Sequence, residues 1–373
     1  MESYSESPLY YLADGLWADA QANAGNKARA DVESIFESMG LKRVELGEHP
    51  GGAEAGTSPA QKLARYVRHA RYIARALGSL PAGAVVFVQF PLVRHTPLFA
   101  RIMRREHARG IRFVLLLQDV EMLRFGMSGE VGAAERVRIA LEEKTALRAA
   151  DCIVVHNDSM SGRISELAGV PAERIVALGI FDYLCCPDVA GARGSMRRES
   201  IAVAGNLSRR KAGYLYSDLG TLPLRLYGMG YESAPSDSVE YCGAVPPDEL
   251  PGVISGSFGL VWDGPSAKTC EGGFGGYHRV NKPHQTSHYL AAGLPVLIWD
   301  EAALAPFIAD EGAGILVSSL DEIAPAIDGL SDDEYAAMRG RAAAIGSRLR
   351  AGFYTRRAVE RALEILKMGS GRS

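Results

Sequence analysis

The sequence predicts two α/β domains in tandem, each built on a doubly wound parallel sheet. Three observations carry that expectation. Short runs rich in Val, Ile, Leu and Phe recur along the chain, bounded by Gly, Pro, Asp or Asn. Helical stretches separate them, and apolar strands separated by helices assemble into a parallel sheet covered on both faces. The alternation pauses over residues 182–199 and then restarts. At roughly 150 residues per domain, a chain of 373 residues accommodates two such units.

In the first half, strands are expected at 9–12, 42–46, 84–90, 112–117, 152–156 and 174–178. Helices are expected between them at 27–39, 61–77, 96–109, 133–149 and 158–168. The pause reads DYLCCPDVAGARGSMRRE, with Pro, Gly and charges but little periodicity, as an interdomain linker would. Strands return at 200–205, 222–227, 239–242, 259–262, 295–299 and 314–317, with a short helix over 285–292. The last helical stretch, 332–368, is expected to break near Gly346 and Gly352. The domains are then 1–185 and 186–350, with 351–373 a C-terminal helix and a disordered GSGRS tail. Loops at the carboxyl edge of such sheets bind ligands, and two domains set edge to edge bring those loops to one cleft.

Composition excludes several classes. A hydrophobic fraction of 47% with 23% charged residues rules out wholesale disorder and a collagen-like fibre. The longest near-pure apolar run, 84–90, is interrupted by Gln89 and is far shorter than the roughly 18 residues a membrane span needs. The N-terminus lacks a basic region followed by an apolar stretch, so no signal peptide is expected. Cys152, Cys185, Cys186, Cys242 and Cys270 include no CxxC pair, which argues against a disulfide framework or a zinc ribbon and for a reducing cytosol.

The net charge of −3 hides an asymmetry. Between Gln61 and Arg112 there are eleven Lys or Arg and one acid, Glu106, so this window carries +10 and the remainder −13. Leu63, Val67, Ala70, Ala74 and Leu77 form one apolar helical stripe, flanked by Arg65, Arg68, Arg71 and Arg75. A basic surface helix of this kind is attracted to anionic lipid headgroups or phosphate-bearing partners; a plain solvated face has the same pattern. No helix-turn-helix or RNP signature accompanies the charge, so nucleic acid is not the expected partner.

Four segments carry candidate chemistry. AGNLSRRKAGY, residues 204–214, follows a strand, with Gly205 and Asn206 leading into Arg209, Arg210 and Lys211. Glycine lets a phosphate approach the backbone and the cations neutralise it, although an ordinary basic turn looks alike. The segment 262–301 begins at Trp262-Asp263 and continues into a glycine-rich run, 264–276, expected to be a mobile loop that closes over a ligand. Asn281, Lys282, Pro283 and His284 then open a short helix, and a helix N-terminus beside a lysine suits a pyrophosphate. His278, His284 and His288 lack the HExxH glutamate, so hydrogen-bonding roles are expected and no metal site. There is also no Asp-x-Asp pair to hold a nucleotide diphosphate through a divalent ion. Gln118-Asp119-Val120-Glu121 follows the strand at 112–117, where Asp119 or Glu121 could serve as general base or cap the next helix. Finally, Gly25, Asn26 and Lys27 are expected in a loop and N-cap suited to an acceptor or phosphate.

These residues resemble those of the bacterial sugar-nucleotide transferases with the two-domain, Rossmann-like GT-B fold. The likeness is strongest to the β-1,6-galactofuranosyltransferase group, which also holds the glucosyltransferase acting on GlcNAc of serine-rich adhesins. It runs through NAGNKAR (23–29), FVQFPL (87–92), QDVEMLR (118–124), IVVHN (153–157), GIFDYL (179–184), AGNLSRRK (204–211), LYG (226–228) and NKPHQTSHYLAAGLPVLIWDEAALAPF (281–307). Gln118 and Gln285 depart from the His and Lys expected there, which leaves Lys282 as the phosphate lysine. The resemblance implies a metal-independent glycosyltransferase with no cofactor, moving a hexose (galactofuranose, galactose or glucose) from a UDP-sugar to a glycan, glycolipid or glycoprotein. It implies donor contacts from Gly205, Asn206, Arg209, Tyr227, Asp263, Tyr277, Asn281 and Lys282, and an acceptor entering near Gly25, Asn26 and Asp119. The enzyme would be cytoplasmic, docked at the inner leaflet through 61–112, and the same reading allows a homo-oligomer. The rival readings are an epimerase or phosphorylase on the same fold, and a non-catalytic transferase partner.

Overall fold

The structure is a computed structural model that describes residues 7–15, 24–46, 58–94, 96–128, 132–185, 199–233, 237–281 and 284–370. The first half runs β1 (Leu9–Ala13), α1 (Ala24–Ser38), β2 (Lys42–Glu45), α2 (Pro59–Gly78), β3 (Val85–Phe90), α3 (Phe99–His107), β4 (Arg112–Leu117), α4 (Glu121–Ser128), α5 (Ala133–Ala149), β5 (Cys152–Val155), α6 (Asp158–Ala168) and β6 (Ile175–Ala177). The second runs β7 (Ile201–Asn206), β8 (Leu224–Met229), β9 (Val239–Gly243), α7 (Leu250–Val253), β10 (Phe258–Val261), α8 (Gly272–Tyr277), α9 (His284–Ala291), β11 (Val296–Trp299), α10 (Ala305–Glu311), β12 (Gly314–Val317), α11 (Ile323–Asp328), α12 (Asp332–Arg350) and α13 (Phe353–Ser370). Every expected strand is present.

Two six-stranded sheets result, ordered β2-β1-β3-β4-β5-β6 and β12-β11-β10-β7-β8-β9. All their pairings are parallel. The order reverses between β1 and β3 in the first sheet and between β7 and β10 in the second. Such reversals open a crevice at the carboxyl ends of the strands. The central strand β3 is buried throughout, as its run of Val and Phe requires.

Helix α2 starts at a capping box, Ser58 with Gln61, and buries Ala70, Ile73 and Leu77 against the sheet. Its buried stripe therefore centres on Ile73, with Ala74 at its margin. Two glycine readings are corrected. Helix α12 passes through Gly346 unbroken, because a Cβ there would lie 2.2 Å from the Leu290 carbonyl oxygen. The glycine permits close approach of α9 and α12 instead of ending a helix; the break falls at Gly352, with φ +69°. The glycine-rich run contains the helix α8, in which Gly275 and Gly276 are buried.

Helix α13 crosses back to pack on β5, β6 and α1. Asp182, where the expected linker begins, accepts from the Tyr354 and Thr355 amides at 3.2 and 2.6 Å and caps that helix. Residues 186–198 of the linker and 371–373 of the expected disordered tail lie outside the described residues. Among the described residues, no helix is long and apolar enough to cross a membrane.

The glycines of α12 give a paired test by chemical denaturation. Gly346→Ala is expected to lose on the order of 1–3 kcal/mol through overpacking. Gly340→Ala, with nothing within 4 Å of its added Cβ, is expected to gain about 0.5–1 kcal/mol from helix propensity.

Candidate active site

The crevice of the second sheet lies between the ends of β7 and β10. Gly205 and Asn206 end β7 exposed. A Cβ on the paired Gly228 would sit 1.8 Å from the Gly205 carbonyl oxygen, so β8 needs glycine there to run this close, whereas a Cβ on Gly205 would lie 3.1 Å from Gln285 Nε2. Asn206 Oδ1 accepts from the Ser208 amide at 3.0 Å, and the Ser208 carbonyl accepts from the Lys211 and Ala212 amides at 2.9 and 2.8 Å. This turn presents three cations. Arg209 lies 4.1 Å over the Tyr216 ring and 3.3 Å from Glu232; Arg210 lies 5.5 Å over Phe274. Lys211 turns inward, its Nζ 3.7 Å from Asp263 Oδ2.

Asp263, just beyond β10, is buried and bonded to His278 Nε2 at 2.9 Å. Burial by itself would raise its pKa, but Lys211 and His278 outweigh it and hold the carboxyl below its ordinary value. A buried anion therefore anchors the cationic loop. The Gly264 amide donates to the Lys211 carbonyl at 2.7 Å and welds the loops after β7 and β10 together. Gly275 lies so close that its Cβ would stand 2.8 Å from the Asp263 carbonyl oxygen; the glycine run serves this packing. Gln285, in the first turn of α9, donates to the Ala204 carbonyl at 3.0 Å. The start of α9 thus shares the edge with the cations. Lys282 and Pro283, expected at that start, lie outside the described residues.

Across the cleft, Tyr277 donates to Asp119 Oδ1 at 2.5 Å, and the Val120 amide donates to the same oxygen at 2.8 Å. Arg124 pairs with the other oxygen at 2.7 Å and lies 3.7 Å from Glu121. The expected base Asp119 is thus a bridge between the domains, and Tyr277 is spent on it. Asn157 Nδ2 adds a second strut to the Val280 carbonyl at 3.2 Å. Glu143, which the sequence did not single out, accepts from the Glu121 and Met122 amides at 2.7 and 2.8 Å and caps α4 from α5. Burial pushes its carboxyl up to about 8, with those two amides opposing.

Other expected site residues turn inward. Gly25, Asn26 and Lys27 lie in the first turn of α1, not in a loop, and the latter two are buried. Lys27 contacts Asp31 at 2.5 Å, Asp248 at 2.8 Å and the Leu184 carbonyl at 2.5 Å, tying both domains to the chain between them. Tyr227 is buried, its hydroxyl 3.2 Å from Ser255 Oγ. Asn281 is half-buried, its amide donating to the Tyr277 carbonyl at 2.9 Å. His284 packs against the Phe181 and Tyr183 rings, and among the described residues neither buried ring nitrogen finds a hydrogen-bond partner. Burial lowers its pKa, and that of His288, to about 3, so both rings are neutral. The hydrogen-bonding role expected of the three histidines is met by His278. Among the described residues, no three His, Cys, Asp or Glu gather as a metal site would require.

Sequence reading also missed a polar wall formed by α1, β3 and the end of β4. Gln118 donates to Gln89 Oε1 at 2.6 Å, Gln89 donates to the Arg29 carbonyl at 3.1 Å, and buried Arg29 donates to the Pro91 carbonyl at 2.5 Å. The available signal was Gln89, the one polar residue in an apolar strand.

Two tests follow from the buried acids. The folded protein holds the Glu143 proton up to about pH 8, whereas the unfolded chain releases it near 4.5. That contribution to stability therefore falls as pH rises across the window. Denaturation midpoints are expected to decline with pH more steeply in the wild type than in Glu143→Gln. Asp263→Ala leaves Lys211 and His278 without their anion, and a loss on the order of 3–5 kcal/mol is expected in urea melts.

Comparison with known proteins agrees with this architecture. The models of the glucosyltransferase 3-like N-terminal and C-terminal domains match residues 13–180 and 201–362. The chain is 31% identical over 367 residues to the β-1,6-galactofuranosyltransferase WbbI of Escherichia coli (strain K12), covering 96% of this chain and 99% of that protein. It is 31% identical over 149 residues to glucosyltransferase 3 of Streptococcus gordonii, covering 39% and 43%. Sucrose-phosphate synthase from Thermosynechococcus elongatus shares the fold, with a TM-score of 0.62 at 14% identity, over 98% of this chain and 99% of that one. With two facing parallel α/β domains and both family models matched along its length, this chain belongs to the glucosyltransferase 3-like family and is a glycosyltransferase of the GT-B fold.

Proposed function

We propose that the protein transfers galactofuranose from UDP-galactofuranose to a hydroxyl of a glycan or glycolipid, without a divalent metal and with inversion at the anomeric carbon. The observation that carries the sugar is the end-to-end similarity to a protein named as a β-1,6-galactofuranosyltransferase. A β linkage made from an α-linked nucleotide sugar requires inversion. Glucose is the second reading, because a named glucosyltransferase 3 also matches.

The site geometry supports a metal-free leaving-group role for side chains. As the bond to the diphosphate breaks, negative charge builds on UDP. In this reading Arg209 and Arg210, on the loop after β7, stabilise it together with the first turn of α9, whose Gln285 bonds to the Ala204 carbonyl of β7. Lys211 is committed to Asp263 and acts by holding the loop.

The basic helices support docking on an anionic membrane. Arg109 bonds to Glu106 and to the Leu77 carbonyl, and Arg105 bonds to Glu106 and to the Ala74 carbonyl, so these two close the end of α2. Arg68, Arg71, Arg75, Arg101 and Arg104 are exposed on α2 and α3 and form the docking face of the proposal.

Product analysis with UDP-galactofuranose, UDP-galactose and UDP-glucose tests the donor; the highest kcat/KM is expected for the furanose, and preference for glucose would replace it. Activity is expected to survive EDTA, and Arg209→Ala with Arg210→Ala to lower kcat about 10²–10³-fold. Changing Arg68, Arg71, Arg75, Arg101 and Arg104 to Glu is expected to abolish sedimentation with phosphatidylglycerol vesicles. Unchanged sedimentation would reject docking and leave the transferase intact.

A further inference from the structure

Resting on that reading, we propose that Asp14 is the general base that takes the proton from the acceptor hydroxyl, with His69 as its positioning residue. Inversion by direct displacement needs a proton acceptor within hydrogen-bond reach of the attacking oxygen. Asp119, which bonds to the second domain, is a poor one. Asp119 already accepts from Tyr277 and the Val120 amide and pairs with Arg124, so protonating it would break the bridge between the domains.

Asp14 stands elsewhere on the same edge. It is the first residue beyond β1, where the strand order of the first sheet reverses between β1 and β3. That reversal is the place where open α/β sheets bind ligands. Exposed Gly15 follows it at φ +81° and turns the chain away. The carboxylate itself is only 4% exposed, and so is the side chain of His69, whose Nε2 lies 3.5 Å from Asp14 Oδ1. Asp14 Oδ2 accepts a long bond from the Arg94 amide at 3.4 Å. No donor among the described residues reaches Oδ1 in hydrogen-bond geometry. A buried carboxylate oxygen without a donor is costly to keep, and an incoming hydroxyl is the donor that would complete it.

The surrounding charges suit this. Buried Arg29 lies within electrostatic reach of Asp14, Glu33 and Asp119. Through Gln89 and Gln118 the polar wall runs on to Asp119 and so to Tyr277 of the second domain. The proposal has the acceptor reach Asp14 along that wall. In the step, the acceptor oxygen bonds to the anomeric carbon as the bond to UDP breaks. The electron pair leaves with UDP, and the hydroxyl proton passes to Asp14 Oδ1.

The test compares wild type, Asp14→Asn and Asp14→Ala in transfer assays, with calorimetry of UDP binding. For Asp14→Asn, kcat is expected to fall about 10²–10⁴-fold, with UDP affinity within about twofold of wild type. The acid limb of its kcat–pH profile is expected to disappear, which a packing role would not cause. Asp14→Ala is expected to regain rate on adding formate, a small carboxylate that can take the proton in the vacated space. Wild-type kcat in Asp14→Asn, or loss of activity that no formate restores together with loss of UDP binding, would overturn the proposal while the transferase reading stands. A wild-type enzyme that transfers from no UDP-sugar would overturn both.

Discussion

A buried anion organises the charge of this molecule. Asp263 sits beneath the crevice of the second sheet, and burial alone would drive it towards the neutral acid. Lys211 from the loop after β7 and His278 from the end of α8 keep it ionised. In return, the carboxylate fixes two loops from opposite sides of the strand-order reversal. With Lys211 drawn inward, Arg209 stacks on Tyr216 and Arg210 on Phe274, both exposed. Small residues make the arrangement possible: a Cβ at Gly213 would lie 2.8 Å from Pro265 Cα, and one at Gly264 would lie 2.5 Å from the Glu271 carbonyl oxygen. Removing any member of such a network strands a charge away from water.

The two halves are joined by polar contacts of the same kind. Tyr277 reaches from the second domain to Asp119, just beyond β4, and Glu143 caps the helix that follows. At the back, Lys27 links α1 to Asp248 and to the chain at Leu184, while Asp182 caps the returning helix α13. The apolar core beneath the first sheet is continuous with that of the second through residues of α13. These contacts tie the two domains together on either side of the cleft.

The fold was legible because strand composition and bounding glycines and prolines report directly on a buried parallel sheet. The edges that carry chemistry were legible for the same reason, since a polar residue just beyond a strand must lie there. The direction a side chain takes from that edge was not. Asp263, Tyr277 and Tyr227 are donor contacts that the resemblance implies, and Lys27 is expected on the acceptor side; each also closes a hydrogen bond or ion pair inside the protein, which no local sequence pattern reports. The glycine run of 264–276 looked mobile because glycine frequency does not separate freedom from close packing. Asp14, just beyond β1, and His69, on α2, are far apart in the chain, and no local pattern announces their approach.

In the proposed reading, the Asp263-anchored loop and the first turn of α9 receive the donor's diphosphate. A crystal structure of the complex with UDP tests it most directly. Diphosphate density within hydrogen-bond reach of Arg209 or Arg210 and the first turn of α9 is the expected result. Density elsewhere, or bridged to the protein through a divalent ion, would contradict it.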